Sequence, residues 1–524
     1  MADTKDVSTR TRNLPEGDGA IDETTSGDVS GFDAERMRAR SLLTADEEKK
    51  LMRRVDLRIM TICSLLFLMK NIDSDNISNA RIMNKGTPRN IMTQLNMTSD
   101  EYNLLTVLYY VPYIVLEAPS NLLLKRLRPS AWQSRIMISW GIALLCHVPV
   151  TNKGGIYATR FILGADILKL GSSKQACTDR MKCRFGCFTS VIAKQGLTSV
   201  ADVLGNLSGI FSGILAFAFD TVSGSRGLSG WQWLFLVEGL VTLVLGTAVY
   251  FLLPDFPPTA KWLTEKEKAF IQARLPPNAP RAEEMNFNFS EIVDSLKDRR
   301  LWLFTLIWAT FTVGTSGVRF YQPTVIANLG FTTIARAQLL NLPISLLSIF
   351  VIGVTGFFAD KGTIPRPLYP LGVFAVVIAC YGVLVAYPSN GAVYAATLVG
   401  NAFTSAFFPL MWPWRVQTTS RATGSAFSIG FVNSYGQIGG AIGPQIFRSK
   451  YAPRYQTSFA AAMALVVCCA IVTLITWWVT RKTESDTRRL KRARVRAQRD
   501  GLAVLDDVVD QDLNKKRSSD EESA

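Results

Sequence analysis

Twelve apolar blocks, sixteen to twenty-four residues long, run along this 524-residue chain with polar connections between them. A helix of about twenty apolar residues rises about 30 Å, enough to cross the hydrocarbon layer of a bilayer. The first six blocks are Leu57–Ala80, Leu104–Leu124, Trp132–Val150, Gly155–Leu170, Leu204–Phe219 and Trp231–Leu253. The second six are Leu301–Tyr321, Gln338–Phe358, Leu368–Tyr387, Gly391–Trp412, Gly424–Phe447 and Ser458–Val479. A hydrophilic stretch from Pro254 to Arg300 divides the sets, and six plus six is the pattern of a membrane protein built from two repeats. The fold class expected is therefore an all-α membrane protein of twelve transmembrane helices in two six-helix halves. The boundaries expected are a tail at 1–54, halves at 55–253 and 301–480, a central loop at 254–300 and a second tail at 481–524.

Composition agrees: 48% of residues are hydrophobic and 19% charged, whereas a soluble chain this long normally carries more charge and splits into several domains. The net charge of +15 is no sign of a nucleic-acid partner, because of where it sits. From Arg481 to Arg499 nine basic and two acidic residues directly follow the last apolar block. Such juxtamembrane clusters hold a helix end on the cytosolic side and attract anionic lipid. Short-loop cations give the same orientation: Arg53, Arg54 and Arg58 before helix 1, Lys125, Arg126 and Arg128 after helix 2, Lys361 and Arg366 after helix 8. Arg81, Lys85 and Arg89 after helix 1 run against it, but the balance places both termini in the cytosol. Residues 1–34 are polar and acidic, which reads as a disordered cytosolic tail rather than a cleavable signal. Cys63, Cys146, Cys380, Cys468 and Cys469 lie in apolar segments and read as small core residues. A single histidine, His147, makes a histidine-based metal site untenable, and no cofactor is expected.

Two polar stretches, Thr44–Glu47 and Thr264–Glu267, match the capping box and read as amphipathic helices lying along the membrane or as ordinary solvated helices. No glycine-rich phosphate loop, HExxH or GxSxG occurs, so the chain is not read as an enzyme. The stretch Tyr109–Trp132, YYVPYIVLEAPSNLLLKRLRPSAW, is a helix ending in a basic turn, and Gly356–Pro370, GFFADKGTIPRPLYP, occupies the equivalent place in the second half. Trp414 reads as part of an interfacial aromatic belt, and the glycines from Gly436 to Gly440 as packing positions.

These stretches, with RRVDLRI, NIDSDNISNAR, GLSGWQWLFLVEGL, LLPDFPPTAKWLTEKEK, QPTVIANLGF, AQLLNLP and IGPQIF, give a specific likeness. The chain resembles a fungal major facilitator of the anion:cation symporter family, the allantoate permease group. The resemblance implies proton-coupled uptake of a small organic anion or vitamin, such as allantoate, nicotinate, pantothenate or biotin, across the plasma membrane. The partners it implies are that anion, protons and the lipid bilayer, with the protein a monomer. It further implies that the loops carrying Lys125 and Arg126, and Asp360, Lys361 and Arg366, lock the halves together during gating.

Charged residues inside a bilayer cost a few kcal/mol each unless paired or hydrated, so each is a candidate for function. Helix 1 carries Lys70, Asp73, Asp75 and Asn76; Lys70 and Asp73 share a face and are candidates for a pair, and Asp73 and Asn76 for substrate or coupling roles. Glu117 on helix 2 is a candidate proton carrier or a structural carboxylate. Arg160 on helix 4 matches the family's intramembrane arginine. Arg319 on helix 7 suits the two-pronged binding of a carboxylate or snorkelling to the interface. Asn401 and Trp412 on helix 10 are candidate cavity residues.

Between 166 and 203 the resemblance stops, in a segment with six basic residues and Cys177, Cys183 and Cys187. Helix 4 is expected to be short and helix 5 to begin near Thr198 or Leu204. The stretch reads as a misjoined or untranslated segment taken as coding sequence. Sequencing the transcript across codons 160 to 210 is expected to return a different reading; a transcript encoding it as written leaves genuine divergence. The alternatives to a carrier are a nutrient sensor on the same fold and a non-functional product.

Overall fold

The structure is a computed structural model that describes residues 45–123, 129–165, 196–253, 262–273, 293, 295–330, 339–361, 364–417 and 422–499. In the first half the helices are α1 (Ala45–Ala80), α2 (Ser99–Leu123), α3 (Pro129–Leu145), α4 (residues 153–165), α5 (Gly196–Thr221) and α6 (Gly230–Leu252). In the second they are α7 (Arg299–Asn328), α8 (Leu342–Lys361), α9 (Leu368–Ala386), α10 (Asn390–Ser405 and Phe407–Gln417), α11 (Ala422–Gly436 and Ile438–Ile446) and α12 (Gln456–Arg499). Twelve helical segments in two sets of six is the arrangement expected. Among the described residues no strand occurs, and six helices are long and apolar enough to cross a membrane. The anomalous segment from 166 to 195 lies outside the described residues; α5 begins at Gly196, close to the expected start.

The outward side chains confirm the solvent. Phe251, Val244, Phe350 and Trp478 are each two-thirds exposed or more. A water-facing surface does not carry large apolar patches of this kind, whereas lipid tails accept them. Cys146 and Cys468 are exposed in this outer layer, Cys380 and Cys469 are buried as expected, and the side chain of Cys63 lies outside the described residues. Trp414 also departs from expectation. It is fully buried, its ring edge-on to Phe304 at 5.2 Å, because α10 turns this side toward α7 rather than toward headgroups.

The first amphipathic stretch is no separate helix. With neither glycine nor proline between Ala45 and Ala80, α1 runs unbroken for 36 residues and buries Leu51 and Val55. Its overhang holds the central connection, where Arg54 pairs with Glu267 and lies 5.9 Å from the Trp262 ring. The second stretch does form its capping box: Thr264 N donates to Glu267 Oε2 at 2.9 Å, and Glu267 N to Thr264 Oγ1 at 3.3 Å. Phe270 and Ile271 then bury against protein rather than along a membrane.

Glycines set the closest helix approaches. A Cβ on Gly246 would stand 2.9 Å from Met137 Cβ, and one on Gly239 would stand 2.9 Å from Leu145 side-chain atoms, which lets α3 and α6 pack tightly. In the second half Gly439 meets the backbone of Thr312 and Val313, and Gly443 meets that of Gly317, drawing α11 onto α7. The halves meet along α1 with α7, α2 with α11 and α5 with α8.

Candidate functional site

Two polar groupings meet on the second half of α1. Asp73 and Asp75 are two residues apart, hence on nearly opposite faces of a helix. Asp73 therefore turns into the first six-helix half while Asp75 turns toward the second.

Asp73 is 1% exposed and lies beside Glu238 on α6, itself 2% exposed. Among the described residues neither carboxyl meets an N–H or O–H donor from another side chain or from the backbone. Two carboxylates in contact repel, whereas one proton between them makes the single hydrogen bond the pair can form. Arg160 of α4, also buried, is the cation whose field reaches both. Its guanidinium lies 5.3 Å from the Phe235 ring, and His147 stacks on the same ring at 5.0 Å. Arg160 Nε and Nη2, both polar side-chain atoms of Asn76, His147 Nε2 and Thr242 Oγ1 are buried without a hydrogen-bond partner among the described residues. Asn76 lies one turn from Asp73, and Thr242 one turn from Glu238, so each shares a helix face with a member of the pair.

This revises the expectation for Asp73, which makes no hydrogen bond to Lys70. It also brings in Glu238, which sequence reasoning missed. Its signal was its isolation: Glu238 is the one charged residue in the 23 residues of α6.

Asp75 is the partner of Arg319, whose Nη2 lies 3.2 and 3.3 Å from the two carboxylate oxygens. Arg319 sits two-thirds of the way along α7 and reaches across to α1. Its side chain is 64% accessible, against 24% for Asp75. Tyr110 of α2 stands beside both charges.

At the helix ends beyond this pair, opposite the start of α1 and the end of α12, the halves are stitched together. Asn103 Nδ2 donates to the Phe447 carbonyl at 3.2 Å, and the Tyr321 hydroxyl lies 2.7 Å from that carbonyl and 2.9 Å from Asn103 Oδ1. Ser449 N and Oγ donate to the Asp100 carboxylate at 2.9 and 2.7 Å, and Lys85 Nζ donates to Asn328 Oδ1 at 3.2 Å. This face of the molecule, the far face, is closed.

The other candidates stand apart from these groupings. Asn401 is buried and donates to Thr397 O of its own helix at 3.1 Å. Trp412 is half-buried in an aromatic cluster with Trp308, the Arg415 guanidinium 5.1 Å from its ring. Arg366 N donates to Glu484 Oε1 of α12 at 3.3 Å. Glu117 lies on α2, and Asp360 and Lys361 on the last turn of α8, with side chains outside the described residues. Lys125 and Arg126 lie outside them altogether.

The sequence model of the Major Facilitator Superfamily matches residues 193–444, beginning beyond most of the anomalous segment. An MFS-type transporter, cnsO of Penicillium expansum, is 27% identical over 497 residues, 90% of each chain. A bacterial homologue of the human lysosomal transporter Spinster, solved inward-facing and occupied, superimposes with a TM-score of 0.58 at 13% identity, covering 81% of this chain and 97% of that one. The chain is a membrane transporter with the major facilitator fold. A putative tartrate transporter of Agrobacterium vitis is likewise 26% identical over 451 residues, 83% of this chain and 96% of its own. The apolar outer layer and these relatives make it an integral membrane protein.

Proposed function

We propose that the chain couples proton movement to uptake of a small organic anion, the two halves rocking about a site near mid-membrane. The observation that supports this best is the buried Asp73–Glu238 pair beside Arg160. One shared proton gives the pair a single negative charge, which Arg160 balances, so the protonated site is neutral and tolerates burial. Loss of the proton leaves an uncompensated buried charge, which is costly unless the site is rehydrated. Proton occupancy thus biases which conformation is stable, and that bias is what coupling requires. Arg319 supplies the cation for the anion. A small carboxylate is the class favoured, in keeping with the tartrate transporter among the relatives.

Uptake of labelled organic acids, screened as a panel, is expected to rise as external pH falls and to collapse with a protonophore. Uptake indifferent to both would remove proton coupling.

In this reading the two six-helix halves are the moving bodies. The Lys125, Arg126, Asp360, Lys361 and Arg366 loops form the gate at the terminal face, and the plasma membrane is the site of action. Both termini lie in the cytosol in this reading, which the basic run at the end of α12 supports. A tag fused after Ala524 is expected to resist protease added to intact cells; its cleavage from outside would reverse the orientation.

A further inference from the structure

We propose that Asp75 is a built-in competitor for the anion site on Arg319, so that a substrate carboxylate binds by displacing it and thereby unfastens α1 from α7. The inference rests on the carrier reading above and specifies how its anion is admitted.

The contact geometry carries the argument. Arg319 reaches Asp75 through Nη2 alone, which is shared between both carboxylate oxygens. A guanidinium binds a carboxylate best by two parallel hydrogen bonds from two nitrogens. The internal pair is therefore a suboptimal version of the contact that an unattached carboxylate can make. Nor is the cation sealed off: nearly two-thirds of its side-chain surface is accessible beside the contact with α1. Displacement leaves both charges served, the cation by the ligand and Asp75 by water entering with it. A neutral ligand cannot compete, so the exchange selects for charge before shape.

The location gives the exchange a consequence. The pair joins α1 to α7, one helix from each half, below the closed far face. Tyr110 adjoins it and also occupies the place where a Cβ on Gly440 of α11 would stand. An anion on Arg319 thus removes an ionic tie between the halves at the point where α1, α2, α7 and α11 converge.

The test uses acetate, the smallest carboxylate with a forked edge, and so does not depend on the natural substrate. Purified full-length protein is titrated with acetate against acetamide and chloride controls, following thermal unfolding. Asp75→Ala vacates the space beside Arg319 and is expected to bind acetate about tenfold more tightly than the parent protein does. Asp75→Asn, which keeps the volume, serves if the alanine variant does not fold. Arg319→Gln is expected to lose the acetate response. Spin labels at Thr87 and Pro388, exposed on far-face loops of the two halves, report closure in a background with its cysteines replaced. Asp75→Asn should lengthen that distance, and the exchange Asp75→Arg with Arg319→Asp should restore it without restoring acetate binding. Equal acetate affinity with and without Asp75, or a charge exchange that leaves the far face open, overturns the proposal. Neither readout involves flux, so failure of transport itself would leave both results interpretable.

Discussion

Glu238→Gln is expected to leave exchange of substrate across the membrane intact while abolishing its accumulation against a gradient. Glutamine keeps the size of the side chain and can donate one hydrogen bond to Asp73, which is what the protonated carboxyl does. What it removes is the second ionisation. With a permanently neutral partner, Asp73 remains ionised beside Arg160 and the site no longer needs a proton to stay buried. The halves still rock, but a proton no longer accompanies each cycle. The membrane potential supplies about 2.3 kcal/mol per elementary charge at 100 mV, and each pH unit about 1.4 kcal/mol more. A carrier that no longer takes one proton with each substrate therefore loses an accumulation factor of about 50 from the potential alone at 100 mV. Proteoliposomes loaded with unlabelled substrate measure exchange, and the same vesicles under an imposed pH gradient measure accumulation. Asp73→Asn should behave in the same way, because the pair acts as a unit. Asp73→Leu should not: it leaves Glu238 and Arg160 without the third member of a buried neutral set and is expected to cost several kcal/mol of stability, about 3–5 where one buried partner is removed. Undiminished gradient-driven accumulation in Glu238→Gln would dismiss the pair as the proton site.

How the chain announces its fold and hides its site follows from the range of each signal. Hydropathy is local, so each block marks its own helix. The overhang of α1 was misread only because a switch from charged to apolar residues at Leu57 looks like a boundary, although the backbone meets no helix breaker there. The capping box at Thr264 is equally local and was legible to the residue. Pairings across the bundle are another matter. Arg319 and Asp75 lie 244 positions apart, and Asp73 and Glu238 belong to helices separated by the anomalous segment. Sequence alone marks such residues as costly inside a membrane without saying which of them meet. It therefore favoured Lys70 for Asp73, one turn away, over a carboxyl on α6. The same limit misplaced Trp414, since an indole that faces a neighbouring helix and one that faces headgroups look alike in sequence.

Two adjacent glycines on α11 are expected to fail in different ways when each is replaced by alanine. A Cβ on Gly439 would stand 2.1 Å from the carbonyl carbon of Thr312 and 2.3 Å from the nitrogen of Val313. Both are backbone atoms of α7, inside the second half, and no rotamer change relieves them. In a bilayer, helices associate through close packing rather than through a hydrophobic drive, so holding this pair apart removes the interaction itself. Overpacking a well-filled site costs about 1–3 kcal/mol, and rigid backbone on the receiving side puts Gly439→Ala at the upper end or beyond. Gly440 meets a different obstacle, the Tyr110 ring at 2.3 Å, which belongs to α2 in the other half. Gly440→Ala therefore spares the packing of its own half and opposes only the approach of α11 to α2. Gly439→Ala should lower the yield of folded protein and its unfolding temperature in detergent. Gly440→Ala should fold, yet shift the distance between Thr87 and Pro388 labels toward an open far face. Adding Tyr110→Ala removes the ring that the new methyl strikes, and should restore closure to Gly440→Ala while doing nothing for Gly439→Ala. Rescue of both variants, or of neither, would show that the two glycines do not divide the work between folding and conformational exchange in this way.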